Sequence, residues 1–379
     1  MKRNKLYVIA IACGITACSS ASQNGDGSLT YIVNGNDTLT VATLSRSTPT
    51  RTVLLSELVK RCELIRFDNV EEALFKPWWI TTTPGHIGIR PSGNPFKLFS
   101  REGKFLTDVG AVGQGPGEYA ITLYDEFIDE QHERIYAISM MSDKILVYNF
   151  QGTFQREIKL PHRLQKGRIK LSDDGSTITL AHMPFEGDPY FAIHIDTLGN
   201  VLNGVAPRTD FIVPDFNGEL STLKNTDAFD IYHTSVDTLF HLTPDNLSLR
   251  PVFTTQSTDM PADSWAHIYR EIPTAYLVSA WQFKEGDDRR NYFIDKRAHT
   301  TSQFTLVNDF FGGLEMPTAA FMKGYFCYCL EPLQLIDLID KRLEQDTCTD
   351  ADKEKLQTMK ASLHENDNNV MFLGKLKDF

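Results

Sequence analysis

Phe96-Lys-Leu-Phe-Ser-Arg-Glu-Gly103-Lys-Phe-Leu-Thr-Asp-Val-Gly110 runs straight into Ala-Val-Gly113-Gln-Gly115-Pro116-Gly117-Glu118-Tyr119. The first part is an alternating strand, a Gly turn and a second alternating strand, which is a hairpin pattern. A second copy follows as Lys144-Ile-Leu-Val-Tyr-Asn-Phe-Gln-Gly152-Thr-Phe-Gln-Arg-Glu-Ile158. The two copies lie about one propeller blade apart.

Further strands continue the series at Phe191-Ala-Ile-His-Ile, Asp237-Thr-Leu-Phe-His-Leu and Tyr292-Phe-Ile-Asp, most of them followed by a turn signal. Other strand-like runs fall between them, such as Arg134-Ile-Tyr-Ala-Ile-Ser139. Four short strands per unit of about 40–50 residues is the pattern of propeller blades. Five units are visible, and the residues before 96 and after 310 supply material for a sixth. The expected fold is therefore all-β, a six-bladed β-propeller over residues 51–379. An N-terminal hairpin precedes it within residues 29–50, turning at Asn34-Gly35-Asn36-Asp37.

Near the C-terminus the period changes to helical. Leu333, Ile336, Ile339 and Leu343 recur at helical spacing after Pro332, which suits a first turn. Thr349 with Asp352 three residues on predicts the N-cap of a second helix, with Leu356, Met359 and Leu363 on its apolar face. This helical insertion, about residues 331–365, should interrupt the last blade and pack on its rim. A ring must not leave its first and last blades free to part, because open sheet edges are liabilities. Arg61-Cys-Glu-Leu-Ile-Arg-Phe67 and Val370-Met-Phe-Leu-Gly-Lys-Leu-Lys377 are therefore both expected in the last blade, beside Lys323-Gly-Tyr-Phe-Cys-Tyr-Cys-Leu330.

Gly113-Gln-Gly-Pro-Gly-Glu-Tyr119, placed after a Gly-turn hairpin and before Phe127-Ile-Asp-Glu130, resembles the NHL-repeat propellers. Together with the runs around Leu54, Cys62 and Val370, it resembles a six-bladed β-propeller lipoprotein family of Gram-negative anaerobes. The likeness covers roughly residues 50–379, and it implies a fold and a location but no activity. The glycines do not form a phosphate loop: the spacing is G-x-G-x-G with Pro116 inside, and no Lys-Ser/Thr or helix follows. A tight crossover between blades is the expected use. Glu118 and Tyr119 are the loop residues that could reach the central channel. Trp78 and Trp79, in the expected inner strand of the first blade, should point to opposite faces. One then packs in the core and the other, Trp78, could face the channel and stack on a sugar.

The chain opens with Lys2, Arg3 and Lys5, an apolar run, and Ile15-Thr16-Ala17-Cys18. Residues 1–17 read as a signal segment too short to span a bilayer. Small residues directly before a Cys resemble the lipobox of bacterial lipoproteins, which implies that Cys18 carries the lipid. Residues 18–28 are rich in Ser, Ala, Gly and Asn and read as a flexible tether. The implied location is the outer membrane, facing the periplasm or the cell surface, with the lipid as the sole membrane contact.

The 379 residues carry a formal net charge of −11, and the signal removes three basic residues, so the mature chain is more acidic still. With no basic run to meet phosphates, nucleic acid is excluded as a partner. Cys62, Cys327, Cys329 and Cys348 remain in an oxidising compartment, either as buried thiols or in one of three pairings. The histidines are scattered and show no metal or catalytic spacing, and no cofactor motif is present. Two functions stay open. One is a binding or scaffold module holding a glycan, peptide or envelope protein. The other is a propeller lyase or hydrolase with its site at the channel mouth. His, Arg and carboxylates gathered at one end of the axis would favour the enzyme, and an apolar or aromatic mouth the binding module.

Overall fold

The computed structural model describes residues 20–21, 25–91, 93–119, 122–214, 218–244, 246–261, 264–282 and 288–378. The signal segment and Cys18 lie outside them. Six antiparallel sheets of four core strands form the ring. Blade 1 consists of Pro77–Thr82, His86–Pro91, Phe96–Ser100 and Phe105–Val109, in order from the axis outward. Blade 2 consists of Leu123–Asp129, Arg134–Ser139, Met141–Asn149 and Phe154–Gln165. Blade 3 consists of Arg168–Leu171, Thr177–Ala181, Ala192–Asp196 and Val201–Val205. The fourth begins with Leu220–Ser221 and continues through Phe229–His233, Leu239–Leu242 and Leu249–Gln256. The fifth is Trp265–Ile272, Ala275–Gln282, Arg289–Asp295 and Thr300–Asn308.

The repeat legible in the sequence marks the third strand of each of these blades. Those strands are apolar on both faces because neighbouring blades cover both. Ile145, Val147, Leu146 and Tyr148 are all buried, and they divide between two clusters on opposite sides of the sheet. The outer strand is different. Phe154–Gln165 alternates over most of its length between buried or half-buried and exposed positions, as a strand with one wet face must.

Blade 6 closes the ring with both chain ends. Its strands are Phe321–Met322, Tyr325–Leu330, Val370–Lys375 and, from the N-terminal side, Glu63–Arg66. Val370–Lys375 pairs antiparallel with both flanking strands, setting Phe326 opposite Gly374 and Leu64 opposite Phe372. The N-terminal hairpin, Leu29–Asn34 with Asp37–Thr43, is where the sequence places it, and it extends blade 4 through a parallel pairing with Leu249–Gln256. Thr50–Leu54 adds in the same way to blade 5.

The helices Pro332–Leu343 and Asp350–Ala361 are inserted between the second and third strands of blade 6. Thr349 caps the second, its hydroxyl accepting from the Asp352 amide at 3.2 Å. One expected face residue is misplaced. Leu333 is 52% exposed, and Leu335 is buried in its stead. The first helix packs against Leu314–Met316 and the second helix, with Leu335 and Ile339 buried and Ile336, Leu338 and Leu343 packed partly buried against the same core. Cys62, Cys327, Cys329 and Cys348 are all free thiols. Burial pushes the Cys62 and Cys327 thiols up to about 12.

The Gly-rich stretch is the crossover from blade 1 to blade 2. Ala111–Val112 pairs in parallel with Glu118–Tyr119. At Gly117 φ is +74°, and a Cβ there would lie 2.4 Å from Phe154 Cγ. Both the left-handed backbone and the close aromatic ring require glycine at this position.

Candidate ligand-binding face

The inner strands of blades 4 and 6 are only two residues long. The turns after them therefore bend into the space that a full inner strand would occupy. Asp230 holds the blade 4 turn, its carboxylate accepting from the Leu223 and Lys224 amides at 2.9 and 2.7 Å. Asn225 then bonds to backbone of both neighbouring elements, Glu271 O at 3.0 Å and Phe321 O at 3.2 Å.

Lys224 and Lys323, at the tips of these turns, meet blade 2 across the axis. Lys224 Nζ reaches Asp125 at 2.7 Å and Ile169 O at 2.5 Å. Lys323 Nζ reaches Glu126 Oε1 at 3.0 Å and Thr81 Oγ1 at 2.7 Å. Arg90 lies 3.4 Å from the other Glu126 oxygen. A bond from blade 6 to blade 2 past blade 1 requires the channel to be filled, and these side chains fill it. Asp125 and Glu126 are 2% and 0% exposed. Burial alone would raise both carboxyls. For Asp125, Lys224, Lys323 and Arg168 overcome it, and for Glu126, Lys323 and Arg90 do, so both stay below the usual carboxylate range.

Beyond this plug, the starts of the inner strands of blades 1 to 4 gather at one end of the axis. A register irregularity between Pro77 and Trp79 breaks the alternation of the first inner strand. Both tryptophans consequently face one guanidinium: Arg90 lies 5.3 Å from the Trp78 ring and 5.4 Å from the Trp79 ring. This corrects the expectation that the two rings divide between core and channel. Trp78 stays 52% exposed. Arg168 stacks on Tyr124 at 4.3 Å and donates to Glu219 at 3.2 Å. Lys166 donates to the other Glu219 oxygen at 3.1 Å, and the Tyr124 hydroxyl also donates to Glu219. Burial pushes the Glu219 carboxyl up to about 7, against a hydrogen bond from the Leu220 amide and the charge of Arg90.

Two polar atoms in this group are buried with neither a hydrogen bond nor an ion pair among the described residues, Trp79 Nε1 and Arg90 Nε, while Arg90 Nη1 and Glu126 Oε2 face each other at 3.4 Å. Buried polar groups are nearly always satisfied, so the first two atoms mark a place that a ligand group or water completes.

Of the residues singled out in the sequence, Trp78 belongs to this face. Glu118 and Tyr119 do not face the channel. The Glu118 carboxylate folds back onto its own loop and accepts from the Gly115 amide at 2.7 Å. Tyr119 is 2% exposed, its hydroxyl accepting from the Phe96 amide at 2.8 Å and donating to Val109 O at 3.1 Å. Their positions follow from the crossover, which runs from the outside of blade 1 before the chain reaches the next inner strand. The histidines are dispersed. His86 pairs with Glu130, His132 with Asp129 and His241 with Glu271. Among the described residues none hydrogen-bonds to the axial group, and no cluster of three His, Cys, Asp or Glu could hold a metal ion. No helix among them is long and apolar enough to cross a membrane.

A family model described as a domain of unknown function, DUF4934, matches residues 39–375. No curated protein matches the chain. The structure is similar to that of a Bacteroides fragilis protein described as exported, at 17% identity and a TM-score of 0.61, covering 87% of this chain and 99% of that one. A DUF4221 family member from Bacteroides vulgatus is similar at 12% identity and a TM-score of 0.44, covering 85% and 98%. A streptogramin B lyase is similar at 12% identity and a TM-score of 0.38, covering 65% and 92%. At such identities the first likeness establishes a shared fold and no more.

Proposed function

The chain belongs to the DUF4934 family, and we propose that it is an exported, lipid-anchored propeller that binds a glycan, peptide or envelope protein at the Trp78 end of its axis. One observation carries the reading. Arg90 Nε and Trp79 Nε1 are buried without an acceptor among the described residues, and the Arg90 guanidinium lies 5.3 Å from the ring of the exposed Trp78. A ligand that lays a sugar ring or flat apolar face on Trp78, and offers an oxygen to Arg90, satisfies both. The plug below it is a set of mutual ion pairs that gives the platform rigidity, as preorganised binding sites require.

Export and anchoring draw on the Cys18 segment and on the likeness to a protein described as exported. Cys18→Ser should abolish labelling by fatty-acid analogues and leave the precursor unprocessed by the lipoprotein signal peptidase. Normal acylation of that variant would refute the anchor. For the binding face, Trp78→Ala should weaken retention on envelope glycan and peptide arrays by about five- to thirtyfold with the thermal melt unchanged, since one aromatic contact in a pocket is worth about 1–2 kcal/mol. Equal retention by the variant would place the ligand elsewhere.

The enzyme reading keeps one specific support: a carboxyl near neutrality, Glu219, in contact with the Tyr124 hydroxyl, which is a possible acid–base pair for a lyase or hydrolase. Glu219→Gln separates the two. Loss of turnover with binding retained would establish catalysis, whereas a binding module shows no turnover to lose.

A further inference from the structure

Every buried cation of the axial group faces a carboxylate, but Arg270 does not. It lies in the inner strand of blade 5 and donates from Nη1 to Ser279 Oγ at 3.3 Å. No carboxylate among the described residues pairs with it, and burial alone pulls its guanidinium down to about 10. An unpaired charge is costly to bury. The side chain opens into a cleft of about 780 Å³ that Ser279, Trp281, Asn291 and Thr318 also line.

The cleft has a definite origin. On the face of blade 5 toward blade 6, Leu277 and Phe293 are covered by blade 6 and its helices. Two residues further along each strand, Ser279 and Asn291 meet no such cover, because the inner strand of blade 6 is only Phe321–Met322. The segment leading to it crosses the gap and places Thr318 Oγ1 2.9 Å from Asn291 Oδ1. Ser279 Oγ lies 3.0 Å from the same oxygen. Arg289, Arg290 and Glu315 also line the cleft. Arg290 is committed to Asp288 at 2.9 Å, and Arg270 is the inner-strand cation of the wall with no carboxylate paired to it among the described residues.

We propose that this cleft binds a carboxylate-bearing saccharide, the acid group on Arg270 and a sugar ring against Trp281. Three features select that class. A guanidinium fork matches a carboxylate with two parallel hydrogen bonds. The cavity falls in the size range of organic ligands and is far larger than a single inorganic anion needs. Its wall also offers hydroxyls, two further guanidinium groups and an indole, against a single carboxylate, Glu315, which suits an acidic polar ring with apolar faces. The site is separate from the Trp78 face and does not depend on it.

The experiment is calorimetric titration of the full-length chain in detergent with tri-galacturonate, and with maltotriose as the neutral control. Tri-galacturonate should bind and maltotriose should not. Arg270→Met should weaken binding at least tenfold, the scale of a lost charge-assisted pair, and Arg270→Lys by less. Trp78→Ala should leave this binding unchanged, so the failure of one site is distinguishable from failure of the other. Should Arg270→Met prove unstable on melting, Thr318→Val and Trp281→Ala supply the same comparison from the cleft wall. Absence of tri-galacturonate binding, equal binding of maltotriose, or sulfate binding through Arg270 without any acidic saccharide would each overturn the assignment.

Discussion

Removing residues 369–379 is expected to abolish the folded state. The strand Val370–Lys375 is the third strand of blade 6 and hydrogen-bonds on both edges, to Tyr325–Leu330 and to Glu63–Arg66. Among the described residues it is the sole sheet link between the C-terminal strands of that blade and the strand contributed by residues 63–66. Val370, Met371, Phe372, Leu373 and Leu376 are each 3% exposed or less. Burial of a large apolar side chain is worth about 1.5–3 kcal/mol, so five of them amount to about 8–15 kcal/mol. That equals the whole stability of a typical domain, about 5–15 kcal/mol. Asn368 and Asn369 add hydrogen bonds to Asp68, Ala73 and Phe75 backbone at 2.6–2.8 Å, pinning the start of the strand to the segment before blade 1. The truncated chain should be insoluble or rapidly cleaved in limited proteolysis. A cooperative melt within a few degrees of the full-length protein would show that the ring is held closed by something else. Phe372→Ala, at about 3–5 kcal/mol, tests the same strand without removing it.

The elements that sequence reading recovers are those whose signal is local. The third strands repeat because each is packed on both faces by its neighbours, so Phe96–Ser100, Met141–Asn149 and Ala192–Asp196 share a pattern at blade spacing. Thr349 and Asp352 announce a helix start because capping acts over three residues. The closing strands were legible because an apolar chain end is best explained by pairing. The candidate site was not legible, and the cause is topological. Arg90, Glu126, Arg168, Glu219, Lys224 and Lys323 come from five blades and share no spacing. The one available signal was Asp125-Glu126 set inside the apolar run Leu123-Tyr-Asp-Glu-Phe-Ile128, where charge in an inner strand requires partners. The Trp78–Trp79 pair was found, but the rule that adjacent residues face apart failed at a bulge. Glu118 and Tyr119 were read as channel-facing because the next strand is innermost, although the chain only turns inward after them.

Lys323→Met should cost about 3–5 kcal/mol at neutral pH, the usual penalty for breaking a buried pair from one side. Lys323 Nζ bonds to Thr81, to Glu126 Oε1 and to Glu126 O, and lies 3.8 Å from Asp125. Methionine nearly matches its length, so the substitution leaves little cavity. Residue 323 has φ +50°, a conformation that lysine and methionine find equally strained, so the backbone cost cancels. The change therefore isolates the charge. Its pH dependence follows from the direction of the carboxyl shifts. In the native protein Glu126 and Asp125 sit below their usual values, so their contribution is present above about pH 4 and lost as the pH falls below it. Without Lys323 the largest remaining influence on Glu126 is burial, which raises a carboxyl. A raised carboxyl contributes stability at low pH that is lost as the pH rises through its folded value. The gap between variant and wild type should accordingly narrow as the pH falls from 7 to about 4.5. Denaturant melts of both proteins at the two pH values measure it. An equal gap at both, or a gap below about 1 kcal/mol at pH 7, would mean that the axial plug is held by packing and not by its ion pairs.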